Sequence, residues 1–253
     1  MVGILCKLDS LGPIAPGYWN RLSRITILHG ILTQHGKQKD RQTWFELAPK
    51  LKIISTPAAG NDYFQIEPPA HVKVLYGSFH GAIMGETAAA LVLGAARGVI
   101  SNASAMRAPR GGWPQRNFTD CVRTVRGAHV VILGFGAIGH HAGRMLKALG
   151  CRITGVRRNP ASDRPKWFEK DDRVVSPAEL DAVLPTADHL LCILPSGKET
   201  DRILDRRRLA LLPPKAFIYN LGRGNAIDEK VLASAMSTVA AGVGGSANPF
   251  IGW

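Results

Sequence analysis

An arginine set between two glycines, Gly222-Arg223-Gly224, follows the apolar run "AFIYNL". A guanidinium at a strand's end is a planar fork that grips a carboxylate or other anion through two parallel hydrogen bonds. A second chemical signal is "GFGAIG", which sets Gly134, Gly136 and Gly139 in G-x-G-x-x-G register between an apolar run and a helical pattern. In that context Gly134 permits the sharp turn, Gly136 lets the backbone approach a pyrophosphate, and Gly139 lets helix and strand pack closely. The amides near Ala137 and Ile138, at the positive helix end, are then the receivers of phosphate oxygens. A plain strand-turn-helix would use the same glycines without a ligand.

The end of the next strand bears on which dinucleotide such a loop would take. An acidic residue about 20 positions on would accept hydrogen bonds from a ribose 2′-hydroxyl and favour NAD. Here the segment is "GVRRNP", with Arg157 and Arg158 followed by Asn159. Two guanidiniums suit a 2′-phosphate, so NADP(H) is the expected preference, with NAD(H) possible. The alternative is that one arginine merely caps the sheet edge in solvent.

These residues need elements to hold them. From about Arg126 onward, apolar runs alternate with helical patterns. "HVVILGF" enters the glycines, and Ile138, Ala142, Met145, Leu146 and Leu149 follow at helical spacing up to Gly150. "CRITGV", "HLLCILP" and "AFIYNL" read as further strands, with helices around "ETDRILDRRRLALL" and from Asp228. Such alternation predicts an α/β fold, a doubly wound parallel sheet covered on both faces. Earlier, "LKIISTPAAGNDY" and "VKVLYGS" read as short strands ending in turns. "ETAAALVLGAARGVI" reads as a buried helix, being apolar on most faces. Residues before about Leu47 carry only a weak pattern.

Composition narrows the classes. The 253 residues suffice for one large domain or two small ones, and 45% hydrophobic with 20% charged residues is ordinary for a globular chain. No run of about 18 apolar residues occurs, so no membrane-spanning helix is expected. Lys7 and Asp9 within the first apolar stretch argue against a secretory signal. Cys6, Cys121, Cys151 and Cys192 are scattered without metal spacing, which fits reduced thiols in a cytoplasmic protein. The net charge of +13 suits phosphorylated ligands, nucleic acid or an acidic surface. No nucleic-acid motif accompanies it, so no direct nucleic-acid partner is assigned, and "RRR" at 206–208 reads as a solvated helix face.

Four segments in order resemble the D-isomer-specific 2-hydroxyacid dehydrogenases, a family that includes glyoxylate/hydroxypyruvate reductases. They are "LAPKLKIISTPAAGNDY", "HGAIMGETAAALVLGAAR", "VVILGFGAIGHHAGRMLKALGCRITGVRRNP" and "HLLCILPSGKETDRILDRRRLALLPPKAFIYNLGRGNAIDEKVL". The resemblance implies two domains: residues 1–105 as a flavodoxin-like substrate domain, and 106–253 as a Rossmann-type dinucleotide-binding domain. "GGWPQ" at 111–115 resembles the segment that precedes the second domain. Arg223 matches the arginine that binds the substrate carboxylate and polarises the reacting carbonyl. Ala59 and Gly60 match the turn whose amides hold that carboxylate, while Leu194 and Pro195 match a segment along the cofactor. Leu221 and Gly222 match the backbone beside the nicotinamide. The implied partner is a small 2-keto or 2-hydroxy acid, and a homodimer is possible.

The resemblance also implies a glutamate and a histidine after the helix near Asp228, to handle the proton that accompanies hydride transfer. In this sequence no histidine follows His189 and no glutamate follows Glu229. His80, His140 and His141 are poor substitutes; His140 opens a helix, where a charged imidazole is disfavoured. The expectation is a truncated or altered family member whose sheet lacks its last strands and ends on an open edge. Three readings follow: a reductase with impaired turnover, a non-catalytic dinucleotide-binding or corepressor-like module, or a fragment that does not fold stably.

Overall fold

A computed structural model describes residues 4–5, 27–29, 45–46, 48–56, 68–77, 80–99, 102–103, 107, 122–160, 164–233 and 250–252. The expected substrate turn at Ala59 and Gly60 and the segment 111–115 lie outside the described residues. The chain divides into two compact units, Met1–His80 and Gly81–Trp253. Among the described residues of the first unit, β1 (Ile4–Leu5), β2 (Ile27–His29), β3 (Ile53–Thr56) and β4 (Lys73–Tyr76) form a parallel sheet in sequential order. β3 alternates half-buried and buried positions, with Ile54 and Thr56 inward. β1 and β2 were not legible in the sequence, being too short to establish a period.

Helix α1 (His80–Ala96) begins at that boundary, and all of it after His80 belongs to the second unit. That unit then builds β5 (His129–Leu133), α2 (Ala137–Ala148), β6 (Arg152–Val156), β7 (Arg173–Val175) and the short α3 (Leu180–Val183). β8 (His189–Cys192), α4 (Arg206–Leu211), β9 (Phe217–Asn220) and β10 (Phe250–Gly252) complete it. All strand pairings are parallel, in the order β10-β9-β8-β5-β6-β7. Read from β7, this is the 3-2-1-4-5-6 order of a doubly wound dinucleotide fold. Every residue of β5, β8 and β9 is buried, as a strand covered on both faces requires.

Two apolar clusters cover those faces. On one side, Ala88, Val92 and Ala96 of α1 and Ala142 and Leu146 of α2 pack with Val130, Ile132 and Tyr219. On the other, Leu180, Val183 and Leu184 pack with Val131, Leu133 and Ile218. The two helices approach closely because α1 presents glycines. A Cβ on Gly85 would stand 3.0 Å from His141 Cβ and 3.1 Å from its backbone carbon. α2 is tied to the sheet at its far end. Lys147 Nζ lies 2.8 Å from both Glu169 and the buried Asp172, whose carboxylate also accepts from the Ile153 and Glu169 N–H groups.

The structure differs from expectation at three places. The sheet does not end at β9, because Phe250–Gly252 lie parallel beside Phe217–Asn220 in the sixth strand position. This strand was not expected from the sequence, because three residues between a proline and a tryptophan give no readable period. The helix expected around 199–212 is confined to Arg206–Leu211, since the segment before it folds into turns braced by Thr200. The "RRR" face is not simply solvated: Arg207 and Arg208 both bond to Asp181 next to α3's start, at 2.6 and 2.8 Å. Among the described residues, no helix is long and apolar enough to cross a membrane.

Candidate functional site

The site is built at the carboxyl ends of the strands of the second unit. The chain runs outward from β5 through β6 to β7, then returns to β8 on the opposite side of β5. Strand order therefore reverses at β5, and the crevice outside its carboxyl end is where such sheets take ligands.

The glycine loop turns at that end. Gly134 has φ +102, a conformation that side chains rarely adopt, and a Cβ there would collide with the Ile193 carbonyl oxygen. Phe135 points inward, fully buried, over Gly155 and beside the rings of His140, Trp167 and Phe168. Gly136 is the exposed N-cap of α2; no side chain caps the helix, and a Cβ there would meet nothing within 4 Å. Gly139 is buried where a Cβ would stand 2.6 Å from the Gly134 carbonyl oxygen. The N–H groups of Ala137, Ile138 and Gly139 open the helix, where α-helical geometry supplies no acceptor. An open approach, a tight turn and an uncapped positive helix end fit the pyrophosphate of a dinucleotide.

Two residues past β6, Arg158 projects into solvent, and its Nη1 lies 3.6 Å from Glu199 Oε2. Arg157 is half-buried, with its N–H bonded to the Val175 carbonyl at 3.0 Å, extending the β6–β7 ladder. Asn159 follows, exposed. All three expected adenosine-end residues thus share the rim beside the glycine loop.

On the other side of β5, the ends of β8 and β9 come together. A Cβ on Gly222 would stand 2.5 Å from the Leu194 carbonyl oxygen and 2.6 Å from its nitrogen. Gly222 is therefore needed for the two strand ends to touch at Leu194, which Pro195 follows in the chain. Arg223 is half-buried and begins the tight turn Gly224–Ala226; its Nη1 donates to the Gly222 carbonyl at 3.3 Å.

Sequence reading missed the residue that shapes this turn. Asn220, buried at the end of β9, accepts from the Gly222 N–H at 3.1 Å and donates from Nδ2 to the Arg223 carbonyl at 3.0 Å. An asparagine two positions before a glycine at a strand's end is the available signal, since its side chain mimics a backbone turn. Of the candidate histidines, His140 packs beside Phe135 and His141 lies under Gly81 and Gly85. Two other histidines are buried within strands. His129 bonds Thr154 and the Thr186 carbonyl, and His189 bonds Tyr219 at 2.9 Å. Burial pushes His189 down to about 4, so it stays neutral and structural. Among the described residues no cluster of His, Cys, Asp or Glu is arranged to hold a metal.

Residues 89–243 match the model of the D-isomer specific 2-hydroxyacid dehydrogenase NAD binding domain. The glyoxylate reductase of Pyrococcus furiosus is 26% identical over 223 residues, covering 85% of this chain and 64% of that protein. Glyoxylate/hydroxypyruvate reductase B of Pectobacterium carotovorum is 29% identical over 218 residues, covering 82% and 63%. The chain thus spans just under two thirds of these relatives' length. Among solved structures, a D-isomer specific 2-hydroxyacid dehydrogenase from Xanthobacter autotrophicus, in complex with NADPH and MES, superposes with a TM-score of 0.66. It is 24% identical, and the match covers 86% of this chain and 64% of that one. A family match over more than half the sequence, on a sheet of the appropriate order, makes this chain a member of the D-isomer specific 2-hydroxyacid dehydrogenase family.

Proposed function

We propose that the chain binds a nicotinamide dinucleotide, NADP(H) in preference to NAD(H), and acts on a small 2-keto or 2-hydroxy acid such as glyoxylate or hydroxypyruvate. The observation that carries this reading is the shared rim. The glycine loop after β5, the arginines after β6 and Arg223 after β9 all stand at carboxyl ends of one parallel sheet. When bound, the nicotinamide supplies or accepts the hydride.

The remaining roles belong to this chain's residues. Ala137 and Ile138 offer N–H groups to the pyrophosphate, and Arg157, Arg158 and Asn159 receive the 2′-phosphate. Leu194, Pro195, Leu221 and Gly222 line the nicotinamide end. Arg223, the catalytic residue in this reading, holds the substrate carboxylate and steadies negative charge developing on the carbonyl oxygen. By the family resemblance, Ala59 and Gly60 are substrate-binding residues whose backbone amides take a carboxylate. The similarity to relatives named glyoxylate reductase supports the substrate class. The scattered cysteines favour a cytoplasmic location, and the family resemblance favours a homodimer.

Proton transfer is the weak step, because the 253 residues contain no histidine after His189 and no glutamate after Glu229. For these 253 residues taken by themselves, the proposal is dinucleotide binding with impaired turnover. The second reading is a non-catalytic dinucleotide-binding or corepressor-like module. Titrating the chain with NADPH and NADH, then assaying reduction of glyoxylate and hydroxypyruvate, tests both. Tighter NADH binding would overturn the cofactor preference. Robust turnover abolished by Arg223→Ala would overturn the impairment and establish the arginine's role.

A further inference from the structure

The ion pair between Arg158 and Glu199 joins two loops that belong to different strands. Arg158 follows β6, Glu199 lies seven residues beyond β8, and β5 stands between those strands in the sheet. The pair therefore spans the carboxyl end of β5, where the glycine loop turns. Both side chains are largely exposed, at 83% and 78%, and their separation is 3.6 Å. Neither end is loose in its backbone. Arg157 is anchored to Val175, and the Glu199 loop is braced by Thr200 Oγ1, which donates to the Pro195 and Gly197 carbonyls at 2.8 and 3.0 Å.

From this geometry we infer that Glu199 is a specificity-determining residue that weakens the hold of Arg158 on a 2′-phosphate. The inference rests on the reading that Arg158 faces the adenosine end of a bound dinucleotide. A carboxylate already sits on the guanidinium that the phosphate needs. With Nη1 and Oε2 3.6 Å apart, an arriving 2′-phosphate must enter beside that negative charge. A 2′-hydroxyl meets no such opposition, since a carboxylate accepts hydrogen bonds from it. Glu199 thus narrows the preference for NADP(H) over NAD(H) that the paired arginines create.

The test is equilibrium binding to the full chain, followed by protein fluorescence, with NADPH, NADH, 2′,5′-ADP and 5′-AMP as probes. Glu199→Gln should tighten NADPH and 2′,5′-ADP by about two- to fivefold, the scale of an exposed ion pair, with NADH and 5′-AMP unchanged. Raising the salt concentration should shrink the difference. Combining Glu199→Gln with Arg158→Gln should abolish it, because the carboxylate acts through that arginine. An unchanged ratio of NADPH to NADH affinity, or weaker NADPH binding in Glu199→Gln, overturns the inference while leaving the proposed function standing. Failure of the unsubstituted chain to bind either dinucleotide overturns both.

Discussion

Gly136 and Gly139 stand three residues apart in one motif yet answer differently to the same substitution. Nothing lies within 4 Å of a Cβ built on Gly136, whereas one on Gly139 meets the Gly134 carbonyl oxygen at 2.6 Å and Ile132 Cγ2 at 3.3 Å. Gly136→Ala should leave the urea midpoint unchanged and weaken NADPH about tenfold, because its methyl occupies the space a pyrophosphate would enter. Gly139→Ala should cost about 1–3 kcal/mol of stability through overpacking. If both variants unfold alike, Gly136 is structural and the pyrophosphate assignment fails. Asn220 belongs at this scale too. Asn220→Ala removes two hydrogen bonds from the turn that carries Arg223 and should lower stability by about 1–2 kcal/mol in denaturant titration.

At the scale of elements, β8 and β9 share a buried polar contact inside an otherwise apolar layer. His189 pairs with Phe217 across the ladder, its ring stacked at 5.3 Å, and bonds the Tyr219 hydroxyl at 2.9 Å. Burial disfavours the imidazolium and pushes it from 6.5 to about 4. Between those values the unfolded chain takes up a proton that the folded chain refuses. Stability is therefore full above pH 6.5, falls as the pH drops, and levels off below about 4. The loss attributable to His189 is about 3 kcal/mol. Urea midpoints at pH 7, 5.5 and 4 measure it, and His189→Gln should flatten most of the slope. Some slope should persist, because burial also lowers His129. An unaltered slope in His189→Gln would show that other groups govern the acid limb.

For the whole molecule, both apolar clusters lie entirely within residues 81–253. A fragment of those residues should unfold cooperatively, and NADPH at a hundred times its Kd should raise its stability by about 2.7 kcal/mol, read as an upward shift in Tm. A non-cooperative melt unaffected by NADPH would show that the second unit cannot hold the dinucleotide alone. The strand beside β9 can be probed in the intact chain. Ile251 pairs with Tyr219 in that ladder, so Ile251→Pro should uncover β9 and increase light scattering on storage.

The sequence alone determined what depends on short spacings: the strand-to-helix passage from β5 into α2, the register of the three glycines, and the clustering of Arg157 and Arg158. A strand five residues long and a helix of three turns each repeat often enough for a period to show. β7 did not, since Arg173, Val174 and Val175 make a single alternation. Tertiary structure decided the rest, because it depends on residues far apart in the chain. Only folding sets Gly222 against Leu194, Asp172 under Ile153, and Phe250–Gly252 beside β9. The pairing of Arg158 with Glu199 is of the same kind, for a 41-residue separation closes only when β6 and β8 flank β5.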